Sequence, residues 1–203
     1  MRSITNDMAV DIPTGSHGPV TVEKFTVEDN LQNMMLGWRR CQPGIYTSLR
    51  RNGRLWMSDT SAERMDHLSA ALEIERRGGR VLLGGLGLGM ILRAAILTKG
   101  VTHIDVVEID ADVIALVGPH YQKMAAERNI SLTIHQADLM TIKWPSSTHW
   151  NVAWFDIWPE LCTDSLDEMA SLRRSYGRRA DWCDCWGREL LLSRRRQEKR
   201  MGW

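Results

Sequence analysis

Glycines and one carboxylate between residues 84 and 110 have the types and spacing of a nucleoside-binding turn. Gly84, Gly85, Gly87 and Gly89 follow the apolar run Val81-Leu82-Leu83, and Val106-Val107-Glu108 closes a second apolar run about 20 residues further on. Glycines let the backbone turn tightly and approach a ligand with no Cβ in the way. Glu108, at the carboxyl end of the second run, can accept hydrogen bonds from both hydroxyls of a ribose. A charged acceptor of this kind contributes roughly 1.5–3 kcal/mol, enough to select for an intact sugar. A further acid, Asp156, lies in Trp154-Phe155-Asp156-Ile157-Trp158-Pro159. The indoles on either side could steady a cation by about 0.5–2 kcal/mol. Core packing explains Trp154 at least as well, whereas Trp158, in the loop, is the better ligand candidate.

These residues need elements to hold them. Val20 to Val27 alternates apolar and polar residues as a half-buried strand, and a short helix is expected around Asn30 to Trp38. Gly44 to Leu49 and Arg54 to Ser58 flank Arg51-Asn52-Gly53, a strong hairpin signal. Ser58-Asp59-Thr60-Ser61 has helix-cap chemistry ahead of a helix over Ala62 to Arg76, which Gly78-Gly79 stops. From residue 80 strands and helices alternate. Strands are expected at Val81 to Gly84, His103 to Glu108, Ser131 to His135 and Asn151 to Asp156. Helices are expected at Met90 to Thr98, Ala111 to Val117 and Tyr121 to Arg128. That alternation implies a parallel sheet with ligands at its carboxyl ends. Past Pro159 the pattern reads as two helices, Asp164 to Tyr176 and Trp182 to Arg200, with no further strand.

The ordered series of glycine loop, Glu108, Asp138 and Asp156 resembles the class I S-adenosylmethionine-dependent methyltransferases, and most of all their spermidine synthase-like branch. Two features point to the branch: a hairpin and cap helix, from Asn52-Gly53-Arg54 through Asp59 to His67, precede the glycines, and Leu83 stands where many methyltransferases carry an acid. The resemblance covers about residues 44 to 160 and implies a Rossmann-like α/β fold. Composition and pattern divide the chain into a flexible lead-in (1–19) marked by Pro13, Gly15, Gly18 and Pro19, an N-terminal hairpin and cap helix (20–79), the core that the resemblance makes cofactor-binding (80–160) and a basic helical extension (161–203), with 20–203 one globular domain. The resemblance spreads over the hairpin and core alone. It also implies that Gly85, Gly87 and Gly89 approach the amino-acid and ribose parts of the cofactor. Asp138 would then meet the adenine amino group, and Asp156 would face the transferred group as a base or cation anchor. The plain alternative for Asp138 is a turn or helix-cap aspartate. His67 matches a region facing the cofactor in the synthases, although a lone histidine is more often structural.

The chain departs from the synthases at Leu88 and at Ile157-Trp158-Pro159, where they carry acids, and its sheet is expected to end early, without the late strands that wall the acceptor pocket. Methyl transfer to a small amine or a macromolecular group, using S-adenosylmethionine, is therefore the leading expectation. Aminopropyl transfer from decarboxylated S-adenosylmethionine is the second, and non-catalytic binding of a nucleoside or polyanion the third. Helices, or a second copy of the chain in a homo-oligomer, could close the site.

Composition narrows the remaining classes. The 203 residues suit one domain, and no apolar stretch approaches the roughly 20 residues that span a bilayer nor is an export signal visible, so a soluble cytoplasmic protein with no membrane contact is expected. Cys41, Cys162, Cys183 and Cys185 fit neither a disulfide framework nor paired zinc spacing, so no metal is expected. The net charge of +1 hides an asymmetry, since residues 171–203 hold ten Lys or Arg against four Asp or Glu. That tail is either a solvated helix face or a surface for weak contact with nucleic acid.

Overall fold

Asn52 and Gly53 both take left-handed backbone, with φ of 49° and 76°, which matches the twist a two-residue hairpin turn must supply. They join β3 (Gly44–Arg51) to β4 (Arg54–Ser58), with Arg51 opposite Arg54 and a register shift between Leu49 and Arg50. In the computed structural model, which describes residues 4–30, 35 and 40–201, this hairpin belongs to a four-stranded antiparallel layer. Strands β1 (Gly15–His17) and β2 (Val20–Val27) complete it, in the order β1-β2-β3-β4. The short helix expected around residues 30–38 falls largely outside the described residues.

The opening segment is not the loose lead-in the sequence suggested. Helix α1 (Ile4–Asp7) leads to Met8, Val10 and Ile12, which alternate into the main core and are buried. Two hydrogen bonds pin them: Val10 N donates to Asp59 Oδ2 at 2.9 Å, and Arg93 Nη1 donates to the Asp7 carbonyl at 2.8 Å. The expected cap helix is two helices, α2 (Ser61–Asp66) and α3 (Leu68–Arg77), with a break at His67, whose φ and ψ are −100° and 2°. Thr60 caps the first by accepting from Glu63 N.

Beyond them lies a five-stranded parallel sheet in the order β7-β6-β5-β8-β9. Its middle strand β5 (Gly79–Gly84) is buried from Val81 to Gly84, as burial on both faces requires of a continuous apolar run. On one side stand β6 (Val101–Glu108) and β7 (Ser131–Gln136), on the other β8 (Trp150–Phe155) and β9 (Ala180–Cys185). Helices α4 (Met90–Leu97), α5 (Ala111–Ala126), α6 (Leu166–Tyr176) and α7 (Arg188–Met201) alternate with the strands. This is the Rossmann-like α/β class with an antiparallel N-terminal layer that the sequence led us to expect. Among the described residues, no helix is long and apolar enough to cross a membrane.

Two expectations are corrected. Strand β9 occupies residues where a helix was expected to start at Trp182, so the sheet gains a fifth strand, and the C-terminal helix begins only at Arg188. Trp182 stacks on Trp154 of β8, with ring centroids 6.0 Å apart and planes 12° apart, and this cross-strand contact selects the extended backbone. The two helices expected between residues 111 and 128 are one, running through Pro119 with Val117 and Tyr121 buried on either side of it.

The β7–β8 connection carries no helix in the described structure, and an aromatic cluster covers that part of the sheet. Trp144 stands edge-on to Trp150 at 5.0 Å and to His135 at 4.9 Å, and its indole N–H donates to Tyr176 Oη at 3.1 Å. Beneath it, buried Asp105 accepts from Trp150 Nε1 at 2.8 Å and Arg80 Nε at 2.9 Å, with His135 Nε2 at 3.2 Å. Burial alone would raise the Asp105 pKa, but these donors hold it below its ordinary value. An acid depressed in this way stabilises the fold above its unfolded pKa and loses that contribution as pH falls through the folded one. Asp105→Ala should therefore cost about 2–3 kcal/mol at pH 7 and flatten the acid limb of stability below about pH 4. Urea titrations at pH 7 and pH 3 test this, and equal midpoints for variant and parent at pH 7 would contradict it.

Candidate functional site

Strand order reverses direction beside β5: the chain moves out through β6 to β7 and then returns to lay β8 on the opposite side. A crevice at the strands' carboxyl ends is the geometric result. It is a cavity of about 750 Å³, roofed by the hairpin and by α2. The glycine loop forms one wall. Gly85 has φ of 91°, and a Cβ there would fall 2.1 Å from the Asp156 carbonyl oxygen, so only bare backbone fits between the ends of β5 and β8. Gly87 lines the cavity too. Gly89 is not among the lining residues: it opens α4 in left-handed conformation, packed so close to the Tyr121 ring that a Cβ would sit 2.2 Å from it.

Glu108 faces the loop from the end of β6. Its Oε2 accepts from Leu86 N at 2.8 Å and its Oε1 from Asp110 N at 2.9 Å. Each carboxylate oxygen can accept twice, which leaves capacity toward the cavity that Glu108 lines. Burial raises its pKa, and the backbone N–H groups offset part of that rise. Asp138 lines the cavity from beyond β7 while its Oδ1 accepts from Met140 N at 2.8 Å, so it is a turn aspartate and a cavity residue at once.

Asp156 extends from β8, with its N–H donating to the Gly84 carbonyl at 2.8 Å and a quarter of its side chain open to the cavity. Burial, followed by the neighbouring charges of Glu63, Asp66 and Glu108, raises its pKa to about 7. His67 Nε2 lies 3.6 Å from Asp156 Oδ2, and burial lowers the imidazole pKa to about 4. Trp158 lines the cavity with its indole N–H held by Glu168 Oε2 at 2.8 Å. Trp154 packs behind the wall, stacked on Trp182 and edge-on to His67.

Several lining residues had no sequence signal of their own. Arg51 and Trp56 arrive with the hairpin, Glu63 and Asp66 with α2, and Trp186 with the end of β9, where it stacks on His67 at 6.5 Å. Only the hairpin turn and the i, i+3 spacing of the two acids could have hinted at them. Together they set the charge of the site. Glu63, Asp66, Glu108, Asp110, Asp138 and Asp156 line it, against Arg51, which is itself ion-paired with Asp110. A walled, acidic crevice of this kind concentrates cations.

No family model matches the sequence, nor does any curated protein. Solved structures give distant likenesses. A spermidine synthase from Thermotoga maritima is 16% identical, with a TM-score of 0.39 over 70% of this chain and 46% of that one. Protein arginine methyltransferase 10 of Arabidopsis thaliana is 18% identical, with a TM-score of 0.40 over 56% of this chain and 32% of that one. The N-terminal domain of EvdMO1, crystallised in the presence of SAH and D-fucose, is 17% identical, with a TM-score of 0.39 over 57% of this chain and 47% of that one. The chain thus spans less than half the length of each. The chemistry of the site is read from its own geometry.

That geometry makes Asp156 a destabilising carboxylate. In the unfolded chain it ionises near pH 4, whereas in the fold it keeps its proton up to about pH 7, so stability falls across that window as pH rises. Asp156→Asn removes the titration. The variant should gain on the parent steadily from about pH 4 to 7 and hold a constant margin above, as read from thermal melts. A margin that does not change with pH would contradict the assignment.

Proposed function

We propose that the chain is an S-adenosylmethionine-dependent transferase of the class I methyltransferase type. The observation that carries this reading is Glu108, gripped by Leu86 N and Asp110 N at the edge of a Cβ-free loop and still able to accept from a sugar diol. Gly85 and Gly87 line the cavity with backbone alone, the space a Cβ would take being filled by the Asp156 carbonyl and the Met57 sulfur. The exposed Ile109 side chain would lie against the base, with Asp138 at the base's amino group.

When bound, such a cofactor would supply a sulfonium-activated carbon for a nucleophile to attack, the carbon–sulfur bond breaking with its electron pair left on sulfur. The protein does the remaining work. Asp156, once ionised, draws a cationic amine into the crevice and takes its proton, freeing the nitrogen lone pair to attack, an assistance typically worth about 10²–10⁴-fold. Trp158, fixed by Glu168, offers an indole face to positive charge. The volume of about 750 Å³ leaves space beyond a nucleoside for a small acceptor near Glu63 and Asp66.

The acidity of that space favours a second reading. Arg51 is already paired with Asp110, so the lining suits a cofactor without a carboxylate, decarboxylated S-adenosylmethionine, and hence aminopropyl transfer. The exposed arginines of α7 at 194–196 and 200 lie outside this chemistry, and we assign them to weak, salt-sensitive contact with polyanions.

Calorimetry discriminates these readings. At least one of S-adenosylmethionine, its demethylated product and the decarboxylated form should bind at roughly micromolar affinity, and Glu108→Ala should weaken it ten- to a hundredfold. Preference for the decarboxylated form selects aminopropyl transfer. Because a sulfonium favours ionised Asp156, binding near pH 6–7 should release up to about one proton, seen as a dependence of the heat on buffer ionisation enthalpy. Equal affinity in Glu108→Ala and parent would overturn the ribose assignment.

A further inference from the structure

His67 Nδ1 and Trp154 Nε1 are buried side-chain polar atoms with no hydrogen-bond partner among the described residues. Groups of this kind are seldom left unmatched, since each would cost about 1–3 kcal/mol. Both residues line one small cavity, about 30 Å³, that lies behind the main crevice against Met57, Leu83, Met90 and Ile91 and also reaches Asp156. Their rings meet edge to face with centroids 6.0 Å apart, beside the cavity that both residues line. The volume suits a single water, and the mostly apolar walls suit nothing more polar.

We propose that this cavity is a water site, and that its water accepts from the Trp154 indole N–H and donates to His67 Nδ1, fixing the imidazole with its proton on Nε2, facing Asp156. An indole nitrogen can only donate, so the water must accept from Trp154 and has its own hydrogens to place. His67 Nδ1 gives one of them an acceptor. The other tautomer would have the water accept twice and leave both its hydrogens against apolar walls. Above about pH 7, where Asp156 is ionised, it would also turn the Nε2 lone pair toward the carboxylate, 3.6 Å away. Burial keeps the ring neutral near pH 7, so one nitrogen is always free to accept.

His67 is then a positioning residue. Its Nε2–H faces Asp156 Oδ2 and leaves Oδ1 to take the proton of an incoming amine, a role that rests on the transferase reading. The distance of 3.6 Å is long for a hydrogen bond, and contacts of this type tighten when a site fills.

The test uses the ligand-free protein, so its outcome is independent of whether any cofactor binds. With ¹⁵N-labelled histidine, long-range proton–nitrogen correlation at about pH 8.5, where Asp156 is ionised, should show His67 as the Nε2–H tautomer alone, and Trp154→Phe should shift it to a mixture. An Nδ1–H tautomer in the parent, or an unchanged ratio in Trp154→Phe, would overturn the proposal. Should Trp154→Phe fail to fold, the parent supplies a second readout: the Trp154 indole proton should show a cross-peak to a long-lived water. Absence of that cross-peak refutes the site.

Discussion

The Glu108 carboxylate ties two neighbouring strand ends together through their own backbone. One oxygen accepts from Leu86 N in the loop after β5, the other from Asp110 N after β6. A loop built on glycines has little intrinsic preference for one conformation, and this pair of charge-assisted bonds supplies it. With Leu86 held, Gly85 stays pressed against the Asp156 carbonyl, and the end of β5 lies open between its two partners. The crevice, the placement of Asp156 and the approach of Met57, whose sulfur accepts from Leu88 N at 3.2 Å, all follow from that anchor.

Around the anchor the protein gathers like charges. Glu63, Asp66 and Glu108 each work against the ionisation of Asp156, and burial works against it most of all. The arrangement stores unfavourable electrostatics that an entering cation relieves, so ligand affinity and stability are linked through the same groups. The asymmetry of charge along the chain has a spatial counterpart: acids converge on the cavity from α2, β6 and β8, while α7 exposes arginines along its last turns. Part of what reads in the sequence as near-neutrality is a separation of opposite charges onto different surfaces.

Legibility tracked the range of the forces involved. The hairpin at Asn52-Gly53, the glycine loop and the strand ending at Glu108 are set by local backbone chemistry, and each lies where the sequence put it. Most expected site residues line a single cavity, although Gly89 serves helix packing instead. What escaped depends on contacts across the chain. Residues 180–185 are too few to show a period against the basic helix after them, and their extended form is chosen by Trp182 stacking on Trp154. Met8, Val10 and Ile12 do alternate in the sequence, but Pro13 and the glycines beyond masked a segment that Asp59 and Arg93 hold in place. The helix expected to end at Val117 runs on through Pro119, because the burial of Val117 and Tyr121 is invisible until the sheet exists.

Placing β5 at the centre of the sheet has a consequence for how the cavity arises. Antiparallel β2, β3 and β4 need little loop closure, whereas Val81 finds its partner on one side at Ile104 and on the other at Val152. The second pairing encloses a long stretch of chain, and its entropic cost is met before any compensating contact forms. The backbone carbonyl against which Gly85 rests, that of Asp156, directly follows that sequence-distant strand. A piece of the chain that stops short of β8 therefore lacks one wall of the pocket, which comes into being only when this strand, remote in sequence, closes upon the middle one.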